Sequence, residues 1–139
     1  MNKISRFIPG VFIVIFTFFI FRQYFLGNKV PIPGNLLLSF YQPWASYTWD
    51  GYINGLPSKP IGFDTLRMFY PLRKIVTDQI KLGEFPLWNP YSFSGNVIFA
   101  AYQSAVFHPL TWLFLVLPQM DAWTVVILLI PILTYFAMS

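Results

Sequence analysis

The sequence predicts an all-α integral membrane protein: two transmembrane helices flanking an ordered loop outside the cytoplasm, with amphipathic interfacial helices in that loop. Three observations carry this. The chain is 56% hydrophobic and only 10% charged, whereas soluble domains carry roughly a quarter charged residues. Two stretches, Phe7 to Phe21 and Ala122 to Met138, contain no charged side chain at all. Between them lies a segment dense in proline and glycine yet rich in Trp, Tyr and Phe, which no disordered linker would be.

The same composition excludes several function classes. Without cysteine there is no disulfide, thiol catalysis or Cys-based metal site. A single histidine makes a zinc site improbable. The net charge of +4 comes with no basic run or nucleic-acid motif, so it reads as a topology signal and a match for anionic lipid, not as a nucleic-acid footprint.

In order, residues 1–6 form a basic cytoplasmic head. Residues 7–26 form the first transmembrane helix, with Arg22 placed to snorkel and Pro9 in the first turn. A cleavable signal peptide fits less well, because Phe, Arg, Tyr and Leu occupy the exit where small residues belong. Lys3 and Arg6 favour a cytoplasmic N-terminus, which puts the loop over 27–104 outside the cytoplasm and the protein, multi-pass, in the plasma membrane. Within the loop, 64–82 is the best amphipathic helix. Phe69, Leu72, Val76 and Ile80 share one stripe, with Leu66 a turn earlier, while Arg67, Lys74, Asp78 and Lys81 share another face. Asp64-Thr65 supplies the N-cap, Gly83 then Pro86 the stop, and Pro71 a kink or a fresh first turn. Glu84 to Gly95 is turn-rich. Residues 105–117 are too short to span and read as a re-entrant or interfacial helix. Residues 121–139 form the second transmembrane helix. It ends without a polar flank, so the chain is expected to be the truncated N-terminal piece of a larger multi-span protein.

A resemblance rests on chained motifs. Phe63-Asp64-Thr65-Leu66-Arg67-Met68-Phe69-Tyr70-Pro71-Leu72-Arg73-Lys74 is followed by Gly83-Glu84-Phe85-Pro86-Leu87-Trp88-Asn89-Pro90-Tyr91. Then come Phe93-Ser94-Gly95 and Gln103-Ser104-Ala105-Val106-Phe107-His108-Pro109-Leu110. With the upstream Pro33-Gly34-Asn35-Leu36 and Tyr41-Gln42-Pro43-Trp44, this resembles the first extracytoplasmic loop of the YfhO-like bacterial membrane proteins, over roughly residues 30–120. That family is similar in build to GT-C glycosyltransferases, so the resemblance implies the N-terminal part of a GT-C-like multi-span fold. It also implies transfer of a sugar from a polyprenyl-phosphate carrier to an extracytoplasmic acceptor. The chain departs from the family at Asn35, where an acidic residue often stands.

Such a transfer needs a base for the acceptor hydroxyl and cations or a divalent metal ion for the leaving phosphate. Asp64 is the first candidate for base or metal ligand, and it serves equally as a helix cap. Asp50 is the second, although Asp50-Gly51 also makes an ordinary turn. Arg67, Arg73, Lys74 and His108 are candidates for the lipid-carrier phosphate. The alternatives are a solvated basic face for the cations and a structural hydrogen bond for the histidine. Trp44, Trp88 and Tyr91 are candidates for stacking on sugar or prenyl groups, or for interfacial anchoring. Two other functions fit the same loop: a transporter or flippase for lipid-linked glycans, and a non-catalytic membrane scaffold.

Overall fold

The computed structural model describes residues 3–53 and 63–138. The start of the basic head at Met1-Asn2, the loop's Gly55, Pro57, Pro60 and Gly62, and the terminal Ser139 lie outside the described residues. The chain is mostly helical and divides into two compact units, residues 1–31 with 112–139, and residues 32–111.

The first unit pairs the two apolar stretches. Helix α1 runs Lys3–Ile20 and continues, after a break at Phe21, as α2, Arg22–Gly27. A four-residue helix, α5 (Leu113–Val116), leads into α6, Gln119–Met138. The segments Phe7–Gly27 and Gln119–Met138 are each long and apolar enough to cross a membrane. Gly10 approaches Tyr135 at one end, and the Tyr24 hydroxyl donates to Asp121 Oδ1 (2.5 Å) at the other, so the pair is antiparallel. The seam uses small and weakly polar residues: Gly10, Thr17, Ala122 and Thr124 are buried, while Phe12, Ile15, Phe19 and Leu133 face outward. A Cβ on Gly10 would sit 3.0 Å from Tyr135 Cε1. The missing side chain lets an aromatic ring of the partner helix pack close against the α1 backbone, the use to which small residues are put in apolar helix pairs. Thr124 is satisfied locally, its hydroxyl donating to the Met120 carbonyl (3.0 Å). Helix α1 starts earlier than expected, which puts Pro9 inside the helix and not in its first turn. Arg22 folds back, its guanidinium 4.7 Å from the Phe19 ring centroid and bonded to the Phe19 carbonyl (3.2 Å).

The second unit is built on the amphipathic segment, which forms in two parts. Thr65–Phe69 is a π-helical turn, and α4 follows as Tyr70–Lys81. Pro71 explains the division. Its ring clashes with the carbonyl four residues back and it has no N–H to give. The preceding turn widens, and the Tyr70 N–H bonds the Thr65 carbonyl five residues back. Proline then sits in the first turn of α4, where it is tolerated. The expected N-cap is not formed: Asp64 is already helical (φ −61°, ψ −28°) and its side chain makes no capping bond. The stop at Gly83 is a Schellman motif. Glu84 N–H bonds Gln79 O and Gly83 N–H bonds Ile80 O, with Gly83 at φ +77°, a conformation open to glycine at little cost.

The apolar stripe of α4 makes the core of this unit. Val76, Ile98 and Val106 are buried, with Leu72, Ile75 and Ile80 packed against them. Ile98 arrives on a hairpin that sequence periodicity did not suggest. Strand β1 (Trp88–Asn89) pairs antiparallel with β2 (Asn96–Val97). Upstream, α3 (Asn35–Phe40) packs on a 3₁₀ turn at Trp44–Ser46, after a cis Gln42–Pro43 bond.

The helix expected over 105–117 is replaced by short pieces: 3₁₀ turns at Tyr102–Ser104 and Pro109–Trp112, then α5. Two local facts prevent a continuous helix. Ala105 lies in the left-handed region (φ 43°), and Pro109 disfavours helical backbone at His108. Replacing the fully buried Ile98 with alanine should cost about 2–5 kcal/mol. Denaturant unfolding of the protein in micelles, followed by near-UV circular dichroism, checks this.

Candidate functional site

Apart from Asp50, the residues nominated from sequence fall into three places within the second unit. The first is the head of the amphipathic segment. Asp64 and Arg67 are both exposed there, three residues apart across the π-turn. Phe63, just before Asp64, is the centre of an aromatic stack. Its ring lies 5.4 Å from Phe40 and 6.1 Å from Tyr41, centroid to centroid. The Arg67 guanidinium covers the same ring at 5.3 Å. The cation is thereby oriented by a π-face while its N–H donors stay accessible to solvent. Tyr41 leads directly into the turn that carries Trp44, whose carbonyl accepts the Trp49 indole N–H (2.9 Å).

Asp50 sits at the tip of a two-residue hairpin closed by reciprocal Trp49–Tyr52 backbone bonds of 3.0 and 2.8 Å. Asp50 (φ 47°) and Gly51 (φ 82°) both have positive φ, the signature of a type I′ turn. Its carboxylate is exposed on that turn.

The second place is a polar clamp. Arg73 Nη1 donates to the carbonyls of Ser104 (3.2 Å) and Ala105 (3.4 Å) and to the Thr111 hydroxyl. The Thr111 hydroxyl in turn donates a hydrogen bond to the Ala105 carbonyl (2.7 Å). Burial lowers the Arg73 pKa, but a guanidinium so shifted remains charged at physiological pH. The clamp holds the segment on which His108 stands. His108 is exposed, its Nδ1 accepting the Leu110 N–H (3.3 Å) and its carbonyl the Thr111 N–H (2.8 Å). Lys74, next to Arg73, points away and pairs with Asp78, both side chains half exposed.

The third place is the hairpin. Trp88 lies across Gly95, where a Cβ would collide with the indole ring. Gly95 is also at φ +105°, so no other residue fits easily there. Gln79 Nε2 bonds the Trp88 carbonyl (2.8 Å), and the buried Asn89 accepts the Tyr91 N–H (2.9 Å) in an Asx turn that leaves Tyr91 80% exposed.

The structure therefore places Asp64 and Arg67 together at the exposed head of the amphipathic segment, and puts Arg73 with His108 and Trp88 with Tyr91 elsewhere in the unit. Sequence reasoning did not single out Phe63, Phe40 or Thr111 for the site. The i,i+4 spacing of Phe63 and Arg67 was the one legible signal among them. Among the described residues, no three His, Asp or Glu side chains converge to hold a metal ion. No family model, curated protein or solved structure matches the chain.

Removing the clamp cation by Arg73→Met leaves the Ser104 carbonyl without this donor and should destabilise the unit by about 1–3 kcal/mol. Arg73→Lys keeps the charge without the planar fork and should recover only part of this. A double-mutant cycle with Thr111→Val, read by chemical denaturation, should show the two side chains coupled by at least about 0.5 kcal/mol.

Proposed function

We propose that this chain belongs to a multi-span membrane glycosyltransferase, acting outside the cytoplasm on sugars carried by polyprenyl phosphate. Two helices able to cross a membrane support a lipid-embedded carrier as substrate. The motif resemblance supports the reaction class. The observation that carries the site is the head of the amphipathic segment: an exposed carboxylate and an exposed guanidinium three residues apart, the guanidinium lying on a stack of three aromatic rings.

Each part answers one demand of the reaction. Asp64, not engaged as a helix cap, accepts the proton of the acceptor hydroxyl. Arg67 meets the carrier phosphate, whose charge grows as the glycosidic bond breaks, through two parallel N–H bonds. Phe40 and Tyr41 offer flat apolar faces to the C–H side of a sugar or to the prenyl chain. The π-turn matters because it sets the direction in which Asp64 and Arg67 leave the helix, and such turns recur at functional sites.

The test is sugar transfer from polyprenyl-phosphate donors by membranes holding the protein expressed from its complete gene. Asp64→Asn should lower kcat by about 10²–10⁴-fold, while Asp50→Asn changes it little. Arg67→Ala should act mainly on the KM for the donor. Undiminished transfer by the Asp64→Asn protein sinks the assignment.

A further inference from the structure

A second feature of the 32–111 unit lies outside the proposed site. Phe85, Phe99 and Phe107 stack in series, with centroids 5.0 and 5.2 Å apart, on the loops that flank the β1–β2 hairpin. They come from three separate segments, yet their rings meet on the surface and not in the core. Their exposures are 55%, 37% and 69%. With about 200 Å² per fully exposed phenylalanine, roughly 300 Å² of hydrocarbon stays uncovered. A contiguous patch of this size matches the largest apolar patch of an ordinary monomer, which is often functional, so its occupant is read from its chemistry and its place in the chain.

The chemistry of the patch selects its occupant. All three side chains lack a polar tip, so they suit a purely hydrocarbon medium and offer a polar partner no hydrogen bond. Exposed aromatics that do carry polar tips, Trp88 (49%), Tyr91 (80%) and Tyr102 (96%), belong to the same unit. Phenylalanine for the acyl region with Tyr and Trp for the head groups is the composition of a membrane interface. The segment bearing Phe107 also leads, through Leu113–Val116, directly into the apolar helix Gln119–Met138. A bilayer that takes this helix is the apolar phase nearest to Phe107 along the chain.

We propose that Phe85, Phe99 and Phe107 form a wedge that inserts into the outer layer of the bilayer and ties the 32–111 unit to the membrane surface. This rests on the reading of α1–α2 and α6 as membrane spans, not on the glycosyltransferase assignment. The wedge gives the unit a third membrane attachment besides its two covalent ends. It therefore limits the unit's freedom to tilt away from lipid-borne ligands.

The absence of cysteine makes the test clean. Single variants Phe85→Cys, Phe99→Cys, Phe107→Cys, Lys74→Cys and Ile15→Cys are labelled with an environment-sensitive fluorophore. They are then reconstituted in phosphatidylcholine vesicles with and without doxyl-labelled lipid. The proposal expects blue-shifted emission, quenched by doxyl lipid, at the three wedge positions and at Ile15, with water-like emission at Lys74. Water-like emission at the wedge with quenching at Ile15 overturns the wedge and leaves the spans standing. Blue-shifted emission at the wedge without doxyl quenching assigns the patch to a protein surface, a second copy included, and also overturns it. Water-like emission at Ile15 overturns the membrane reading and the wedge together.

Discussion

The organisation of the 32–111 unit depends on one cation. Arg73 leaves the amphipathic helix on the side of the 104–111 segment and supplies N–H donors to carbonyls that no helix or strand uses. That segment turns through a left-handed alanine and a proline, and buried carbonyls short of donors are costly. The Ala105 carbonyl takes the His108 N–H and the Thr111 hydroxyl, and Arg73 Nη1 adds a donor there and reaches the Ser104 carbonyl as well. With the segment held against α4, Val106 reaches Val76 and Ile98, and the small core closes. Polar satisfaction and apolar packing here come from adjacent turns of one helix.

Proline sets where helices stop and what shape their ends take. Pro71 turns the head of the amphipathic segment into a π-turn, and that distortion carries Asp64 and Arg67. Pro109 breaks what would be an interfacial helix into 3₁₀ pieces and leaves His108 on the surface. Inside the apolar helices the same residue is absorbed: Pro9 and Pro131 both lie within continuous helix. Long apolar helices tolerate the lost bond when neighbouring turns and a packed partner hold them.

The two helical apolar stretches and the loop unit divide their aromatic residues differently. In α1 the phenylalanines face outward from a seam of Gly10 and Thr17, as suits helices surrounded by hydrocarbon. In the 32–111 unit, aromatics form separate stacks around Phe63 and around Phe99, each assembled from segments distant in sequence. One stack lies beside charged groups suited to a phosphate and a sugar. The other is built of phenylalanine alone. The two stacks thus differ in the polarity of their members.

Much of the helical architecture was legible in the chain itself, because it follows from local chemistry. Runs of uncharged residues of sufficient length marked the two long helices, and the 3.6-residue stripe of Leu72, Val76 and Ile80 marked α4. Gly83 marked the helix end, since a Schellman stop needs a positive φ that glycine adopts freely. Asp50-Gly51 marked a turn for the same reason. What the tertiary structure decided was contact between residues far apart in sequence. No local pattern says that Arg73 will bind the 104–111 backbone, that Phe40 and Tyr41 will meet Phe63, or that Ile98 will complete the core from the residue after a two-residue strand. Asp64 shows the boundary most clearly. Its position before an amphipathic run satisfies every local rule for a cap, yet helix already present at Phe63 removes the need. Its carboxylate is thereby left exposed and outside any cap.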